Sequence, residues 1–368
     1  MKNIVILGST GQIGQKALAV VDDHPDQFKV IGLACNQNSQ LFQEQVKKYR
    51  PQLTSISALN GEEKMIELVT NTEVDLVIVA VVGIAGLVPT IEAIKAHKQI
   101  GLATKEVLVI AGELVMKLAK KHQVSVIPID SEHSAIFQSI GSNNPQQIHN
   151  IYLTMGKGKI AQMSNQDLES VTLTDIYNRP EWSMGQKIAI DSASCINKTF
   201  EVIEAAHLFG LKPAQIQVVV HPEYFAHSLV QFIDGSIIGE FGKPDMYRYL
   251  SVAMSHPDRL ISPVTYLSDL IDKNLSFQKA PNEKFPCLNL GYDALTAGGS
   301  MSAVLHGADK SVVDSFVAGK IKFTQFYSII KSVMDAHQVI SNPSLTELIS
   351  IEKWAQHEAT TIINNLKN

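Results

Sequence analysis

The sequence predicts an α/β protein in three parts: an N-terminal doubly wound parallel sheet, a middle α+β region and a C-terminal helical bundle. Short apolar runs alternate with amphipathic segments over about 130 residues, a mixed pattern follows to about residue 258, and the last 80 or so residues have helical periodicity. The length of 368 residues suits two or three domains. We expect domains at 1–129, 130–258 and 285–368, with a linker at 259–284 that is rich in Asp, Asn, Ser and Pro.

The N-terminal part has the regular strand-helix alternation that is typical of a parallel sheet with helices on both faces. The predicted strands are Ile4–Leu7, Lys29–Ala34, Leu53–Ser57, Asp75–Val82, Gln99–Ala103 and Val124–Ile129. The predicted helices lie near 11–21, 39–49, 61–69, 87–97 and 110–122.

Two later patterns predict local structure. The alternating run Ser228–Phe241 contains Asp234–Gly235, a dipeptide that favours a hairpin turn. Ser344 and Glu347 have capping-box spacing, and Thr324 is expected to open another helix.

Composition excludes several classes of protein. A hydrophobic fraction of 45% with 18% charged residues is typical of a globular protein, and a net charge of −5 disfavours nucleic acid or anionic lipid as a partner. The three cysteines are too few and too scattered for a disulfide framework or a thiolate zinc cluster. The longest apolar run, Leu76–Val88, is too short for a bilayer, and the N-terminus does not resemble a signal peptide. We expect a cytoplasmic protein with no membrane partner.

A glycine-rich loop follows the first strand, in the order Gly8, Ser9, Thr10, Gly11, Gln12, Ile13, Gly14. Glycines at this spacing let the backbone approach a pyrophosphate, which then rests on the N-terminus of the next helix. The context predicts a Rossmann-like dinucleotide site that includes Ser9, Thr10, Gly11, Gln12 and Ile13. A plain tight turn is the alternative.

The second strand ends at Asn36, Gln37 and Asn38, without the acidic residue that binds an adenosine ribose and repels a 2′-phosphate. Its absence favours NADPH over NADH. The alternative is that these are ordinary polar loop residues.

Two carboxylates follow the sixth predicted strand. In extended geometry Asp130 and Glu132 point to the same side, at the strand end where open α/β sheets bind ligands. Hard carboxylates favour Mg²⁺ or Mn²⁺, and a third ligand must come from elsewhere. Two solvated loop acids are the alternative.

The segment 191–204 reads as one helix capped near Ser192. Asn197, Lys198 and Glu201 then share one face. A hydroxyl, an amide, an ammonium and a carboxylate together suit a phosphorylated, metal-chelated substrate. A solvated Lys–Glu pair is the alternative.

With these residues the chain resembles the 1-deoxy-D-xylulose 5-phosphate reductoisomerase family over nearly its whole length. The resemblance rests on the motifs Gly8–Gly14, Ala103–Glu106, Asp130–Gln138, Trp182–Lys187, Asp191–Ala193, Asn197–Lys198 and Pro244–Met246. It implies rearrangement of 1-deoxy-D-xylulose 5-phosphate and its reduction to 2-C-methyl-D-erythritol 4-phosphate, an isoprenoid precursor, with NADPH and Mg²⁺ or Mn²⁺. It also implies a homodimer.

The resemblance further implies a role for each matching residue. The metal ligands are Asp130, Glu132 and Glu201. The substrate contacts are Ser131, Gly156, Arg179, Ser192, Asn197, Lys198 and Glu201. The catalytic residues are Lys198, Glu132 and Ser131, with Trp182 and Met184 on a flap that closes over the substrate. Further cofactor contacts are Thr104, Lys105, Glu106 and Gly185.

Several residues depart from the family pattern. Gly156 replaces a phosphate-binding serine, Arg179 replaces a histidine, and the other departures are Thr104, Gln37, Tyr247 and His306–Lys310. Arg179 is expected to take over a phosphate contact, and a serine restored at position 156 is expected to recover one. The alternative is that Arg179 points to solvent from a loop. The departures leave open a related enzyme for another phosphosugar, a non-catalytic NADPH-binding protein and a simple sugar dehydrogenase.

Overall fold

The computed structural model describes residues 1–177, 185–261, 271 and 274–366. Its first sheet has six parallel strands in the order β3-β2-β1-β4-β5-β6. These strands are β1 Lys2–Leu7, β2 Phe28–Cys35, β3 Leu53–Ile56, β4 Leu76–Val79, β5 Gln99–Leu102 and β6 Val126–Pro128. The order reverses between β1 and β4, which confirms the predicted doubly wound sheet and places a ligand crevice at the carboxyl ends of these two strands.

Helices cover the sheet, and its central strands are buried: no residue of β4 is exposed. The helices are Gln12–Asp23, Gln40–Tyr49, Ser57–Thr70, Leu87–Lys95 and Glu106–His122. Two of them begin earlier than predicted, at Ser57 and Glu106. The residues Val107–Ala111 are all buried, so the first turns of that helix have no polar face from which periodicity could be read.

The second sheet is mixed, with the order β10-β9-β7-β8-β11. Its strands are β7 Ile148–Met155, β8 Ile216–Val220, β9 Ala226–Phe232, β10 Ile237–Phe241 and β11 Gln278–Lys279. The predicted hairpin is confirmed: Gly235 has φ +89° and its N–H donates to Phe232 O at 3.0 Å. β11 pairs with β8, so the predicted linker contributes an edge strand.

The predicted helix over 191–204 is wrong: two helices, Gln186–Ala193 and Ile196–Phe209, replace it. They are separated at Cys195, whose φ of +67° is left-handed, a conformation that ends a right-handed helix. Ser192 therefore lies in the last turn of one helix and Asn197 in the first turn of the next. Among the described residues of the middle region, the other helices are Ser131–Ile140, Lys159–Gln162, Asn165–Leu168, Leu173–Tyr177 and Met246–Ser255.

The C-terminal part is helical, as predicted. Its helices are Leu290–Ala297, Met301–Val317, Phe326–Ala336 and Leu345–Asn365. The capping box is confirmed, with Glu347 N donating to Ser344 Oγ and Ser344 N donating to Glu347 Oε2. Thr324 lies in a 3₁₀ turn, Phe323–Gln325, that precedes the expected helix. In the described ranges, every helix is too short or too polar to cross a bilayer.

Candidate active site

An acidic cluster lies beside the carboxyl end of β6. Asp130 caps the helix Ser131–Ile140, Glu132 lies in its first turn, and Glu201 comes from the helix Ile196–Phe209. One carboxylate oxygen of each lies within 4.8 Å of the others. The extended geometry predicted for Asp130 and Glu132 is wrong, because the helix begins directly after β6, but both side chains still face the same point. Three convergent carboxylates have the donor set that Mg²⁺ and Mn²⁺ prefer.

Two lysines neutralise most of this charge. Lys105 Nζ lies 2.9 Å from Asp130 Oδ2 and 3.4 Å from Glu201 Oε1. Lys198 Nζ lies 3.3 Å from Glu132 Oε1, pairs closely with Glu201 Oε2 and donates to Thr154 O at 2.6 Å. Each of the three carboxylates therefore has a lysine ammonium as a partner.

The same charges set the protonation of the cluster. Burial raises the pKa of Asp130, but Lys105 and His133 outweigh it and hold the pKa well below its usual value. Burial also raises the pKa of Glu132, but the positive charge of Lys198 acts against it, and the net result is a lowered pKa. At Glu201 burial prevails over the two lysines and raises the pKa. Asp130 and Glu132 are thus held as carboxylates ready to bind a cation.

Two buried residues without a role in the sequence analysis, His133 and Glu204, support the cluster. His133 Nε2 lies 2.9 Å from Glu201 O, and its Nδ1 lies 3.2 Å from Asp130 Oδ1 and 3.5 Å from Glu204 Oε2. Asp130, His133 and Glu204 also satisfy metal-binding distances. A carboxylate that is paired with an ammonium keeps further lone pairs for a cation, whereas both ring nitrogens of His133 are engaged, so the three carboxylates are the better metal site. The three-residue spacing of Glu204 after Glu201 was the available signal for its position.

The residues that the sequence predicts as substrate contacts lie near the carboxylates. Asn197 Nδ2 donates to Glu201 Oε1 at 2.5 Å, its Oδ1 accepts from Lys105 Nζ at 2.8 Å, and Ser131 Oγ donates to Glu132 Oε2. Ser192 lies half-buried before the helix break. Gly156 directly follows β7, two residues after the Thr154 carbonyl that holds Lys198.

The glycine loop joins β1 to the helix Gln12–Asp23. Gly8 has φ +88°, and a Cβ there would overlap the carbonyl of Ala80. A Cβ at Gly14 would overlap the backbone of Gly8 and Ser9. Gly11 and Gln12 are exposed at the helix N-terminus, with Thr10 and Ile13 half-buried beside them. The loop therefore has the close-approach geometry that a pyrophosphate needs.

Ser9 behaves differently from its neighbours in the loop. It is fully buried, its Oγ donates to Gln45 Oε1 at 2.8 Å, and Gln45 Nε2 donates back to Ser9 O at 2.9 Å. The hydroxyl of Ser9 therefore anchors the loop to the helix Gln40–Tyr49. Sequence reasoning missed Gln45, since no local pattern marks it.

Asn36, Gln37 and Asn38 follow β2 and are exposed, with Asn36 Oδ1 accepting from Ser57 Oγ at 3.2 Å. They stand at the carboxyl edge of the sheet.

The segment after β5 connects the glycine-loop region to the acidic cluster. Thr104 is buried and donates to Val81 O at 2.6 Å, and Glu106 Oε1 accepts from Gly83 N at 3.3 Å. Lys105, between them, reaches the carboxylates. Gly185 is exposed before the helix Gln186–Ala193. Arg179, Trp182 and Met184 fall within 178–184, outside the described residues.

Family models match three parts of the chain. The "1-deoxy-D-xylulose 5-phosphate reductoisomerase" model matches residues 4–59 and 52–112, the model of its C-terminal domain matches 126–209, and "DXP reductoisomerase C-terminal domain" matches 241–358. The 1-deoxy-D-xylulose 5-phosphate reductoisomerase of Thermodesulfovibrio yellowstonii is 42% identical over 98% of both chains. The chain belongs to this family.

Other members of the reductoisomerase family agree with this assignment. The reductoisomerase of Pelotomaculum thermopropionicum is 41% identical over the full length of both chains. A crystal structure of DOX-P reductoisomerase in complex with NADPH, fosmidomycin and magnesium superposes with a TM-score of 0.94, 34% identity and full coverage of both chains. The enzyme from Zymomonas mobilis in complex with NADPH gives a TM-score of 0.92 at 29% identity, over 98% of this chain and 99% of that one.

Some departures from the reductoisomerase family pattern have structural explanations. Tyr247 Oη donates to Asp23 Oδ2 at 2.7 Å, which ties the helix Met246–Ser255 to the helix Gln12–Asp23. His306 Nδ1 lies 3.1 Å from Glu352 Oε1, between two C-terminal helices. Tyr247 and His306 therefore each form a polar contact between two helices.

Proposed function

We propose that this chain catalyses the NADPH- and divalent-metal-dependent isomerisation and reduction of 1-deoxy-D-xylulose 5-phosphate to 2-C-methyl-D-erythritol 4-phosphate, an isoprenoid precursor. The observation that carries this proposal is the convergence of Asp130, Glu132 and Glu201 next to Lys105, which lies just after β5 of the glycine-loop sheet. A metal site and a dinucleotide crevice that meet at one residue suit a reaction that combines both chemistries.

The three carboxylates would hold Mg²⁺ or Mn²⁺, and their convergence without a ring nitrogen fits such a hard cation. When bound, the cation supplies positive charge that stabilises developing negative charge on the substrate oxygens. Ser131 and Asn197 would orient the substrate from two sides of the carboxylates. Lys198, held by the Thr154 carbonyl, would bind a substrate oxygen at a fixed position.

The cofactor would lie along the carboxyl edge of the first sheet. Thr10, Gly11, Gln12 and Ile13 would cradle the pyrophosphate at the helix N-terminus. Ser9 would act by holding that loop in place. Asn36, Gln37 and Asn38 would surround the 2′-phosphate, and Thr104, Lys105, Glu106 and Gly185 would line the nicotinamide end.

The remaining roles rest on the family resemblance. Trp182 and Met184 would close over the substrate, excluding water from the reaction. Ser192 and Arg179 would contact the phosphate. We further propose that the active form is a homodimer in the cytoplasm, and that its partner is a small phosphosugar.

The test is NADPH oxidation by the purified protein with 1-deoxy-D-xylulose 5-phosphate and Mg²⁺ or Mn²⁺, with a panel of other phosphosugars alongside. We expect metal-dependent turnover with the named substrate. Turnover with another phosphosugar alone would refute this substrate. Turnover without metal would indicate a simple dehydrogenase, and the absence of all turnover would indicate a binding protein.

A further inference from the structure

The ring of Tyr224 occupies the space that a side chain at position 156 would need. A Cβ built on Gly156 would coincide with the end of the Tyr224 ring, at its Cε1, Cζ and Oη atoms. The resemblance to the reductoisomerase family implies a phosphate-binding serine at the position of Gly156. In this chain a phenol hydroxyl therefore stands where that serine side chain would begin.

The backbone holds Tyr224 in this place. Its φ is +51°, a left-handed conformation that a bulky residue rarely adopts and that the surrounding structure must enforce. Buried His221 enforces it: Nε2 accepts from the backbone N–H groups of Phe225 and Ala226, each at 3.0 Å, while Nδ1 donates to Ser276 O at 2.8 Å. The ring of His221 therefore holds the two residues that follow Tyr224 and is itself held in place by the carbonyl of Ser276.

This turn opens onto the site. His221 N donates to Met155 O at 2.7 Å, so the ends of β7 and β8 lie side by side and bring Tyr224 to Gly156. Lys198 is held by the carbonyl of Thr154, two residues before Gly156. Tyr224 is 44% exposed, so part of its side chain lies at the surface beside Gly156.

We propose that the Tyr224 hydroxyl replaces the missing serine hydroxyl as a hydrogen-bond donor to the phosphate of the substrate. The identity of that substrate rests on the proposed function. A phenol O–H donates one hydrogen bond, as a serine O–H does, and a bond to an anionic acceptor is stronger than one between neutral groups. Gly156 is then required, because its lack of a side chain makes room for the ring.

The contact between Gly156 and Tyr224 changes the effect expected for a serine at position 156. The sequence predicts that Gly156→Ser recovers a phosphate contact, and the structure corrects this expectation. Any Cβ at position 156 must displace the ring of Tyr224. The serine and the tyrosine are therefore alternatives, and a return to the family pattern requires both positions to change.

The experiment compares Tyr224→Phe, Gly156→Ser and the double variant Gly156→Ser with Tyr224→Ser. Tyr152→Phe is the matched control, since its hydroxyl donates to Gln231 Oε1 at 2.7 Å within the same sheet. Steady-state kinetics give KM and kcat for 1-deoxy-D-xylulose 5-phosphate. Calorimetry gives the Kd of inorganic phosphate for the NADPH- and Mg²⁺-loaded protein.

Tyr224→Phe is expected to raise KM about tenfold and to weaken phosphate binding by a similar factor, with a smaller effect on kcat. Gly156→Ser should raise KM as well, and the double variant should recover most of that loss. Tyr152→Phe should match the wild type. Unchanged KM and phosphate affinity in Tyr224→Phe would show that the ring only fills space. Absence of turnover by the wild type would refute the proposed function, while the phosphate titration would still decide the role of Tyr224.

Discussion

Lys187 Nζ lies 2.6 Å from Oδ2 of Asp309, a fully buried carboxylate on the helix Met301–Val317. The same ammonium lies 2.5 Å from Asp191 Oδ2. One lysine therefore serves two buried carboxylates, and Asp309 lies in the segment His306–Lys310 that departs from the family pattern. The contact ties the helix Gln186–Ala193, which carries Ser192, to the C-terminal helices.

Asp309→Asn is expected to stabilise the protein at alkaline pH. Burial, and then the charge of Asp309, raise the pKa of Asp191 from 3.8 to about 7 against the opposing effect of Lys187. Between these two values the folded state binds more protons than the unfolded state, so stability falls as pH rises. Removal of the Asp309 carboxylate should therefore lessen the loss of stability as pH rises.

The measurement is the Tm of both proteins between pH 5.5 and 8.5. We expect the variant to gain about 2 °C or more on the wild type at the upper end and little at the lower end. Asp314→Asn is the control, because Asp314 is an exposed acid on the same helix. A gain in Tm that is the same at every pH would contradict the claim that Asp309 raises the pKa of Asp191.

Glu201→Gln is expected to reduce turnover and Mn²⁺ affinity well over tenfold, since a neutral amide replaces a charged ligand. NADPH binding should survive, because the glycine loop belongs to another part of the chain. Electron paramagnetic resonance titration measures Mn²⁺, and fluorescence measures NADPH. Glu204→Gln, one turn further along the same helix, is the control and should retain Mn²⁺. If Glu204→Gln loses Mn²⁺ while Glu201→Gln retains it, the metal site consists of Asp130, His133 and Glu204 instead.

Gln45→Ala is expected to lower the Tm and to weaken NADPH binding severalfold. It leaves the buried Ser9 hydroxyl and carbonyl without the partner they have now, at a cost of about 1–3 kcal/mol. Thermal melts and NADPH titration check both effects. Gln40→Ala removes an exposed amide from the same helix and should change neither. A variant that melts earlier with full NADPH affinity would show that the loop does not depend on this anchor.

NADPH is expected to bind more tightly than NADH, and Gln37→Lys to widen the difference about tenfold. The lysine would add a charge-assisted contact to the 2′-phosphate at the exposed end of β2. Paired titrations with the two cofactors give the ratio. Gln52→Lys adds the same charge at an exposed position before β3, at the amino edge of the sheet, and should leave the ratio unchanged. Tighter binding of NADH by the wild type would overturn the preference.

Local patterns predicted the elements whose causes are local. The turn at Asp234–Gly235 and the capping box of Ser344 depend on residues within a few positions, so their sequence signals were sufficient. The break at Cys195 was missed because a left-handed cysteine has no sequence signal. The grouping of Glu201 with Asp130 came from the family resemblance, since spacing along the chain does not bring them together.

The sequence by itself determined the parallel sheet, the glycine loop and the chemical types of the site, since these follow from periodicity and residue identity. Only the tertiary structure decided that Lys105 reaches Glu201 across 96 positions and that Lys187 reaches Asp309 across 122. It also placed Tyr224 in the space left by Gly156. Such contacts depend on how strand ends and helices pack, and local periodicity carries no information about packing between distant segments.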